Sequence, residues 1–258
     1  MRRRSFLTVP AGAALLEAQE PAPPRQAIIE LRYFRLRSGK QVERTSEFLR
    51  RGWLPAAQRA GVGPVGFFNS LVAPESPFVL ALTSFASLAA IGDLARKLAA
   101  DKEFQQANDE YNAPGGELTY IRMENSLLLA FPSMPAVEVP PTSEGRPPRV
   151  FELRTYESPN DKTLERKVNM FGDGEIAAFR RSGMLPVFFG TAIVGRDLPK
   201  LTYMLAYDDW PAREKTWAAF GKDPGWQKLR ATPGLSDAEI VSNISNAVLR
   251  PLPFSPIR

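Results

Sequence analysis

The chain contains an internal repeat. The segment that begins at Ile28 with Ile-Ile-Glu-Leu-Arg-Tyr-Phe begins again 122 positions later, at Val150, with Val-Phe-Glu-Leu-Arg-Thr-Tyr. The two copies, residues 28–128 and 150–250, align without a gap, and this alignment places Gly61 on Gly183 and Asp101 on Asp223. A period of this length is too long for a solenoid repeat and has the size of a whole domain. The sequence therefore predicts a duplicated fold.

The composition excludes several kinds of chemistry. The 258 residues include neither cysteine nor histidine. Disulfides, zinc–thiolate sites and thiol catalysis are therefore impossible, and the commonest metal ligand and general base are missing. Haem held by a protein imidazole or thiolate is excluded as well. We expect no metal and no cofactor.

The net charge of +5 does not indicate a nucleic-acid partner. Part of it comes from Arg2, Arg3 and Arg4, and the other basic residues are interleaved with acidic ones. A nucleic-acid-binding protein would concentrate its basic residues in a patch or stripe. We therefore expect no nucleic acid among the partners.

The N-terminus has the features of an export signal. Arg3-Arg4-Ser5-Phe6-Leu7, followed by the small apolar run from Val9 to Leu16, resembles a bacterial twin-arginine signal. The apolar run is too short to span a bilayer, so stable membrane insertion is not expected. Residues 1–27 are predicted to be the signal and a flexible leader, which would place the mature protein in the periplasm or outside the cell.

Hydrophobic periodicity gives the same order of elements in both copies: strand, helix, strand, strand, helix, strand. Ser87 is placed to cap the second helix of the first copy, and Asp101 and Asp223 precede further short helices. The predicted strands cover residues 28–36, 64–72, 78–85, 118–129, 150–156, 186–194, 201–207 and 240–249. The predicted main helices cover residues 43–60, 87–98, 164–181 and 210–220.

This order defines the predicted fold class, α+β with two ferredoxin-like (βαββαβ) repeats. Each repeat would be an antiparallel sheet with both helices on one face, which leaves the other face bare. The repeats, residues 28–130 and 150–250, can cover each other by packing sheet to sheet. A proline-rich linker, residues 131–149, would permit this arrangement, and residues 251–258 form a C-terminal tail.

Three segments resemble the NIPSNAP family. They are the strand Phe151 to Tyr156, the helical Glu214 to Phe220 (Glu-Lys-Thr-Trp-Ala-Ala-Phe), and the turn Asp223-Pro224-Gly225-Trp226. The first copy keeps Glu30 to Tyr33 and Asp101 to Phe104, but it lacks counterparts of Trp217 and Pro224. The resemblance implies the dimeric αβ-barrel fold, here built within one chain, and no settled reaction.

Two glutamate–arginine pairs are the first candidates for function. Glu30 and Arg32 flank Leu31, and Glu152 and Arg154 flank Leu153, so each pair points to one side of its strand. If the leucines face the helices, all four charges lie between the two sheets. There they would either lock the halves in register or, with a carboxylate beside an arginine, orient an anionic ligand.

Aromatic residues are concentrated in the second copy, where they are candidates for lining a ligand cavity between sheet and helices. The alternative is an ordinary core. The first copy has smaller or aliphatic residues at most of the equivalent positions, so we expect any working site in the second copy. The candidates are Tyr156, Tyr203, Tyr207, Trp210 and Trp217.

Three functions are compatible with these patterns. The first is an exported protein that binds a small molecule or a protein. The second is a cofactor-independent enzyme, resembling a monooxygenase or an isomerase, with Glu152 or Glu30 as base, and with Arg154 or Arg32 and Tyr156 or Tyr207 stabilising negative charge. The third is a module that binds a protein partner or another copy through a sheet edge. A pocket that reaches the pairs would favour the enzyme, and closed packing would favour a scaffold.

Overall fold

The computed structural model describes residues 25–113, 115, 118–141, 145 and 147–258. Residues 1–24 of the predicted signal and leader, which together cover residues 1–27, lie outside the described residues. Among the described residues, no helix is long and apolar enough to cross a membrane.

The first repeat has the predicted order of elements. Its strands are β1 (Ile28–Arg35), β2 (Val65–Val72), β3 (Phe78–Phe85) and β4 (Arg122–Ala130). Its helices are α1 (Lys40–Phe48), α2 (Leu54–Ala60), α3 (Leu88–Ala100) and α4 (Lys102–Asn112). A π-helical turn, Leu49–Trp53, joins α1 to α2.

The second repeat has the same order with one additional short helix. Its strands are β5 (Val150–Glu157), β6 (Leu185–Val194), β7 (Lys200–Tyr207) and β8 (Asn243–Pro251). Its helices are α5 (Asp161–Met170), α6 (Ile176–Arg181), α7 (Trp210–Lys222), α8 (Pro224–Arg230) and α9 (Asp237–Ile240). The π-helical turn Phe171–Glu175 joins α5 to α6, as its counterpart does in the first repeat.

The eight strands form one closed antiparallel barrel in the order β1-β3-β2-β8-β5-β7-β6-β4. Each repeat contributes four neighbouring strands, and the repeats meet where β2 pairs with β8 and β4 pairs with β6. The predicted α+β fold and intrachain barrel are confirmed. Each of these strands has two hydrogen-bonded neighbours, so the described part of the chain offers no free sheet edge for a partner.

The repeat is not gapless over its whole length. Glu30 lies opposite Leu127 in the β1–β4 ladder, whereas Glu152 lies opposite Val248 in the β5–β8 ladder. An unbroken offset of 122 would have placed Leu249 there. The second copy is therefore one residue shorter between Asp223 and β8.

Each repeat is completed by a segment that follows the other. Phe131, directly after β4, donates its backbone N–H to the carbonyl of Phe189 in β6, and Leu252, directly after β8, donates to Phe67 in β2. Phe131 and Leu252 are both buried. The beginning of the predicted linker and of the predicted tail therefore pack as parts of the barrel.

The direction of the glutamate–arginine pairs differs from the expectation. Leu31 and Leu153 lie inside the barrel, in one core with Phe68, Phe151 and Phe188. The expectation that the leucines face the helices was wrong, and so was the placement of the four charges between the sheets. Both faces of the sheet are buried, one inside the barrel and one under helices, so alternation along the strand could not assign the direction.

The predicted helix caps at Ser87 and Asp223 are confirmed, and Asp101 is a further cap. The side chain of Ser87 accepts a hydrogen bond from the backbone of Ala90, and Asp101 and Asp223 accept from the backbone N–H groups three residues further on. These contacts satisfy N–H groups that have no partner within the helix.

Candidate functional site

The second repeat buries Glu152 between β5 and α7. Its carboxylate accepts hydrogen bonds from Arg154 (2.9 Å), from Arg213 twice (2.9 Å each), from Trp217 Nε1 (3.1 Å) and from the Tyr207 hydroxyl (3.3 Å). The residue has no exposed surface. Both carboxylate oxygens are therefore engaged inside closed packing.

These partners hold Glu152 in its ionised form. Burial alone would raise the pKa of Glu152, but the hydrogen bonds and positive charges of Arg213 and Arg154 outweigh it and lower that pKa below its ordinary value. A carboxylate with a lowered pKa and no free lone pair is a weak general base. The arrangement suits a structural ion cluster.

A chain of hydroxyl contacts extends from Arg154. The guanidinium donates to the Tyr156 hydroxyl at 3.1 and 3.3 Å, and Tyr156 in turn lies 2.9 Å from the hydroxyl of Tyr203. The Arg154 guanidinium also lies 4.8 Å from the ring of Trp217. Glu152, Arg154, Tyr156, Tyr203, Tyr207 and Trp217 are thus brought together, with the rings packed as core.

Trp210 is not part of this cluster. It is the first residue of α7, and 41% of its surface is exposed. Its ring is 5.8 Å from the guanidinium of Arg213 and belongs to no buried cluster of the described chain.

Two charged residues of this region were not identified from the sequence, Arg213 within the cluster and Lys167 beside it. Arg213 lies four residues before Trp217, a spacing that puts both on one face of α7, and this signal could have identified it. Lys167 is only 1% exposed and lies 3.3 Å from both Glu175 and Asp237. Burial raises the pKa of Glu175 to about 7, against the opposing effect of Lys167.

The glutamate–arginine pair of the first repeat has a different environment. Arg32 donates to Glu30 Oε1 at 2.8 Å, and Asn125 donates to the same oxygen at 3.0 Å. The Arg32 guanidinium lies 5.3 Å from the ring of Trp53. No described residue donates a hydrogen bond to Glu30 Oε2.

Glu30 and Arg32 border a cavity of about 180 Å³ between the sheet and the helices. The space exists because small side chains replace large ones: Ala81 and Thr83 stand where the second repeat has Tyr203 and Leu205. The cavity wall also contains Phe34, Phe48, Leu49, Trp53, Leu98, Phe104, Asn108, Tyr111, Asn112, Tyr120 and Met123.

Two buried polar groups at this cavity lack hydrogen-bond partners among the described residues. They are the indole N–H of Trp53 and the hydroxyl of Thr83. Trp53 is 5% exposed and Thr83 is fully buried. Leaving a buried polar group without a hydrogen-bond partner costs about 1–3 kcal/mol of stability. Both groups therefore indicate that a bound molecule can supply the missing hydrogen bonds.

The described residues contain no group of three or more acidic residues placed to hold a metal ion. The polar residues that line the cavity are Glu30, Arg32, Thr83, Asn108, Asn112, Tyr111 and Tyr120, beside the ring of Trp53. Such a set can orient an organic molecule through hydrogen bonds.

Two solved structures of proposed monooxygenases support the fold. A proposed monooxygenase from Fusobacterium nucleatum superposes with a TM-score of 0.59 at 9% identity, covering 89% of this chain and 94% of its own. Another, from Lactobacillus acidophilus, gives a TM-score of 0.56 at 11% identity, covering 87% and 93%. A NIPSNAP domain protein from Burkholderia xenovorans is 23% identical over 41% of this chain and 96% of its own, with a TM-score of 0.36.

Sequence comparison assigns the family. No curated protein matches the chain significantly. The sequence profile of the NIPSNAP family, however, matches twice, at residues 29–135 and 151–256. These two matches cover most of the sequence and coincide with the halves of the barrel. The chain belongs to the NIPSNAP family, of which it contains two copies in tandem.

Proposed function

We propose that the protein binds a small organic molecule in the cavity of its first repeat. The observation that carries this proposal is the pair of unpartnered buried groups, Trp53 Nε1 and Thr83 Oγ1, at the wall of an existing cavity. Proteins seldom retain such groups without a partner, because each one weakens the fold. A ligand atom that accepts from Trp53 would remove this cost.

The size and lining of the cavity define the class of ligand. An apolar cavity of ~150 Å³ admits benzene, so about 180 Å³ suits a single substituted ring. Rings of Phe34, Phe48 and Trp53 supply flat apolar walls. A hydroxyl on the ligand could donate to Glu30 Oε2 and accept from Trp53, so a phenol is the simplest matching molecule.

The equivalent space in the second repeat is occupied by the protein itself. Tyr203 replaces Ala81, and its ring lies 5.1–5.9 Å from those of Phe171, Phe179 and Phe189. The second repeat therefore supports the structural interpretation of its aromatic residues. From the sequence we expected a working site in the second copy, whereas the proposed site lies in the first.

Phenol binding, measured by calorimetry and native mass spectrometry, tests the proposal. We expect one equivalent to bind the wild-type protein. Trp53→Phe, which removes the N–H and keeps a ring, should weaken binding about tenfold, the value of one hydrogen bond. Ala81→Tyr, which copies the second repeat, should abolish it.

Trp226→Phe is the matched control, since it removes an indole N–H outside this cavity and should leave the affinity unchanged. Thermal unfolding establishes that each variant is folded. Failure of the wild-type protein to bind phenol, or normal binding by folded Ala81→Tyr, would overturn the proposal.

The alternative function, a cofactor-independent enzyme, is better served by Glu30 than by Glu152. Glu30 lines the cavity and its Oε2 accepts no hydrogen bond from the described residues, whereas both oxygens of Glu152 are engaged. If the bound molecule is transformed, Glu30→Gln should stop turnover while binding continues. If Glu152→Gln loses turnover and Glu30→Gln keeps it, the active site lies in the second repeat instead.

Export through a twin-arginine pathway is a further part of the proposal. Its support is the sequence Arg3-Arg4-Ser5-Phe6-Leu7 and the apolar run after it. Replacing Arg3 and Arg4 by lysine should retain the protein in the cytoplasm when cells of the host are fractionated. Unchanged distribution between the fractions would contradict export by this route.

A further inference from the structure

The interior of the barrel is polar at one end. Residues of the barrel core such as Phe68 and Phe151 fill the rest of the interior, but at the ends of β1 and β5 a cavity of about 440 Å³ opens. Inward-facing side chains of both repeats line it. We call this cavity the barrel mouth; its lining includes Tyr33, Phe78, Thr155, Lys200, Thr202 and Ser245.

The barrel mouth is open because the two repeats differ there. Thr155 and Thr202 of the second repeat occupy the positions that Tyr33 and Leu80 occupy in the first. The small hydroxyl side chains leave space on one side. On the other side, Tyr33 packs edge-on against Phe78, with ring centroids 5.2 Å apart, and forms an aromatic wall.

Most charged groups around the barrel mouth neutralise one another. Arg35 and Arg122 lie 3.1 and 2.6 Å from the two carboxylate oxygens of Glu124, and Arg196 approaches the same group at 3.5 Å. Glu75 joins this network through the same arginines. These charges are therefore not available as primary ligand contacts.

Among the cations that line the barrel mouth, Lys200 is the exception. It stands at the position of Phe78, and its side chain forms neither an ion pair nor a hydrogen bond with any residue that the structure describes. Two carboxylates line the same cavity without an ion pair to the described residues: Glu157, which accepts a hydrogen bond from Asn243 at 2.8 Å, and Asp197, which is exposed to solvent. Burial lowers the pKa of Lys200 and outweighs the opposite effect of the charges on Asp197 and Glu157.

Hydrogen-bond donors accompany this ammonium. The hydroxyls of Thr155 and Thr202 lie 3.0 Å apart, so one hydroxyl donates to the other. The hydroxyl that accepts keeps its own hydrogen available for a ligand. Ser245 makes no side-chain hydrogen bond to the described residues and lines the same wall. An ammonium with adjacent hydroxyl donors is suited to a carboxylate.

We propose that the barrel mouth is a second binding site, which takes a small aromatic carboxylate. Lys200 Nζ pairs with the carboxylate, a hydroxyl of the Thr155–Thr202 pair and Ser245 donate to it, and the ring packs against Tyr33 and Phe78. The site is formed by both repeats and is separate from the cavity at Trp53.

Benzoate is the probe for this site, with affinity measured by calorimetry and by ligand-observed NMR. We expect saturable binding of one equivalent by the wild-type protein. Lys200→Met, which keeps the length of the side chain and removes the charge, should weaken binding at least tenfold. Lys222→Met, at an exposed position on α7, is the matched control and should bind benzoate normally.

Two further measurements separate this site from the other cavity. Ala81→Tyr, which fills the first-repeat cavity, should leave benzoate binding unchanged, and benzyl alcohol should bind at least tenfold more weakly than benzoate. The proposal is overturned if wild-type protein shows no saturable benzoate binding, if folded Lys200→Met keeps the wild-type affinity, or if benzyl alcohol binds equally well.

Discussion

Trp217 donates its indole N–H to the carboxylate of Glu152 at 3.1 Å, which joins helix α7 to strand β5 through a fully buried charge. Two arginines complete the carboxylate, which itself has no exposed surface, while the side chains of Arg154 and Arg213 are 14% and 24% exposed. Buried clusters of this kind are sensitive to the loss of one member, because the remaining charges cannot be hydrated.

Replacing Glu152 by glutamine should therefore destabilise the protein more than the same change at Glu30. Glu152→Gln leaves two guanidinium groups, those of Arg154 and Arg213 (14% and 24% exposed), without their counter-ion, and we expect a loss of about 3 kcal/mol. Arg32 is 27% exposed and partly hydrated, so Glu30→Gln should cost at most ~1 kcal/mol. Urea unfolding at pH 7 measures both, and equal losses would contradict the buried-cluster interpretation.

The buried Glu175 should make stability depend on pH. Its pKa rises from 4.5 to about 7 on folding, so its contribution to stability is fully present below pH 4.5 and is lost as the pH rises through 7. The variant Glu175→Gln lacks this dependence. Between pH 5 and pH 8 its stability should improve relative to the wild-type protein by roughly 2–3 kcal/mol.

The measurement is the free energy of unfolding of both proteins across this pH range. Glu165→Gln, at an exposed position on α5, serves as the control and should follow the wild-type curve. A constant difference between Glu175→Gln and the wild-type protein would show that Glu175 does not titrate in this range.

The junction between β4 and β6 should not tolerate a larger residue at Gly190. A Cβ atom added there would lie 2.8 Å from the Cβ of Leu128 and 3.3 Å from the carbonyl of Leu129. Gly190→Ala should destabilise the protein by about 1–3 kcal/mol, the usual cost of overpacking. Gly221→Ala in α7 is the control, because the added methyl group there meets no other atom. This variant should be as stable as the wild-type protein or more stable by up to ~1 kcal/mol. Thermal unfolding measures both variants, and a Gly190→Ala melting temperature equal to that of Gly221→Ala would contradict the prediction.

Removing the ring of Tyr203 should open the second repeat. Tyr203 is fully buried, and Tyr203→Ala should cost about 3–5 kcal/mol through lost packing and an unfilled cavity. Phe34→Ala, its comparison in the first repeat, borders space that already exists and should cost less. Chemical denaturation distinguishes the two, and equal costs would contradict the difference in packing between the repeats.

The sequence was sufficient to predict the order of elements, the caps and the closed arrangement of two sheets. Those properties depend on local periodicity and on the need to cover a bare sheet face, and the duplication gave each prediction twice. The direction of Leu31 and Leu153 was not predictable in this way. In a barrel wrapped by helices both faces of a strand are dry, so the sequence lacks the polar alternation that marks a solvent-facing side.

The location of the cavity was harder to predict from the sequence than the direction of these leucines. Aromatic residues were concentrated at Tyr203, Tyr207 and Trp217, and abundance of rings favoured the second repeat as a binding site. In the structure those rings fill the space, while Ala81 and Thr83 leave it empty. A cavity is created by the side chains that are small, and their effect is visible only after the neighbouring elements are in place.

Two NIPSNAP-type halves within one polypeptide have a consequence that a dimer of identical chains cannot have. In a homodimer every substitution appears on both sides of the two-fold axis, so a cavity filled in one subunit is filled in the other. Here Ala81 and Tyr203, or Phe78 and Lys200, occupy equivalent positions with opposite properties. Because the halves are joined in one chain, one repeat can fill this space with its own side chains while the other leaves a cavity.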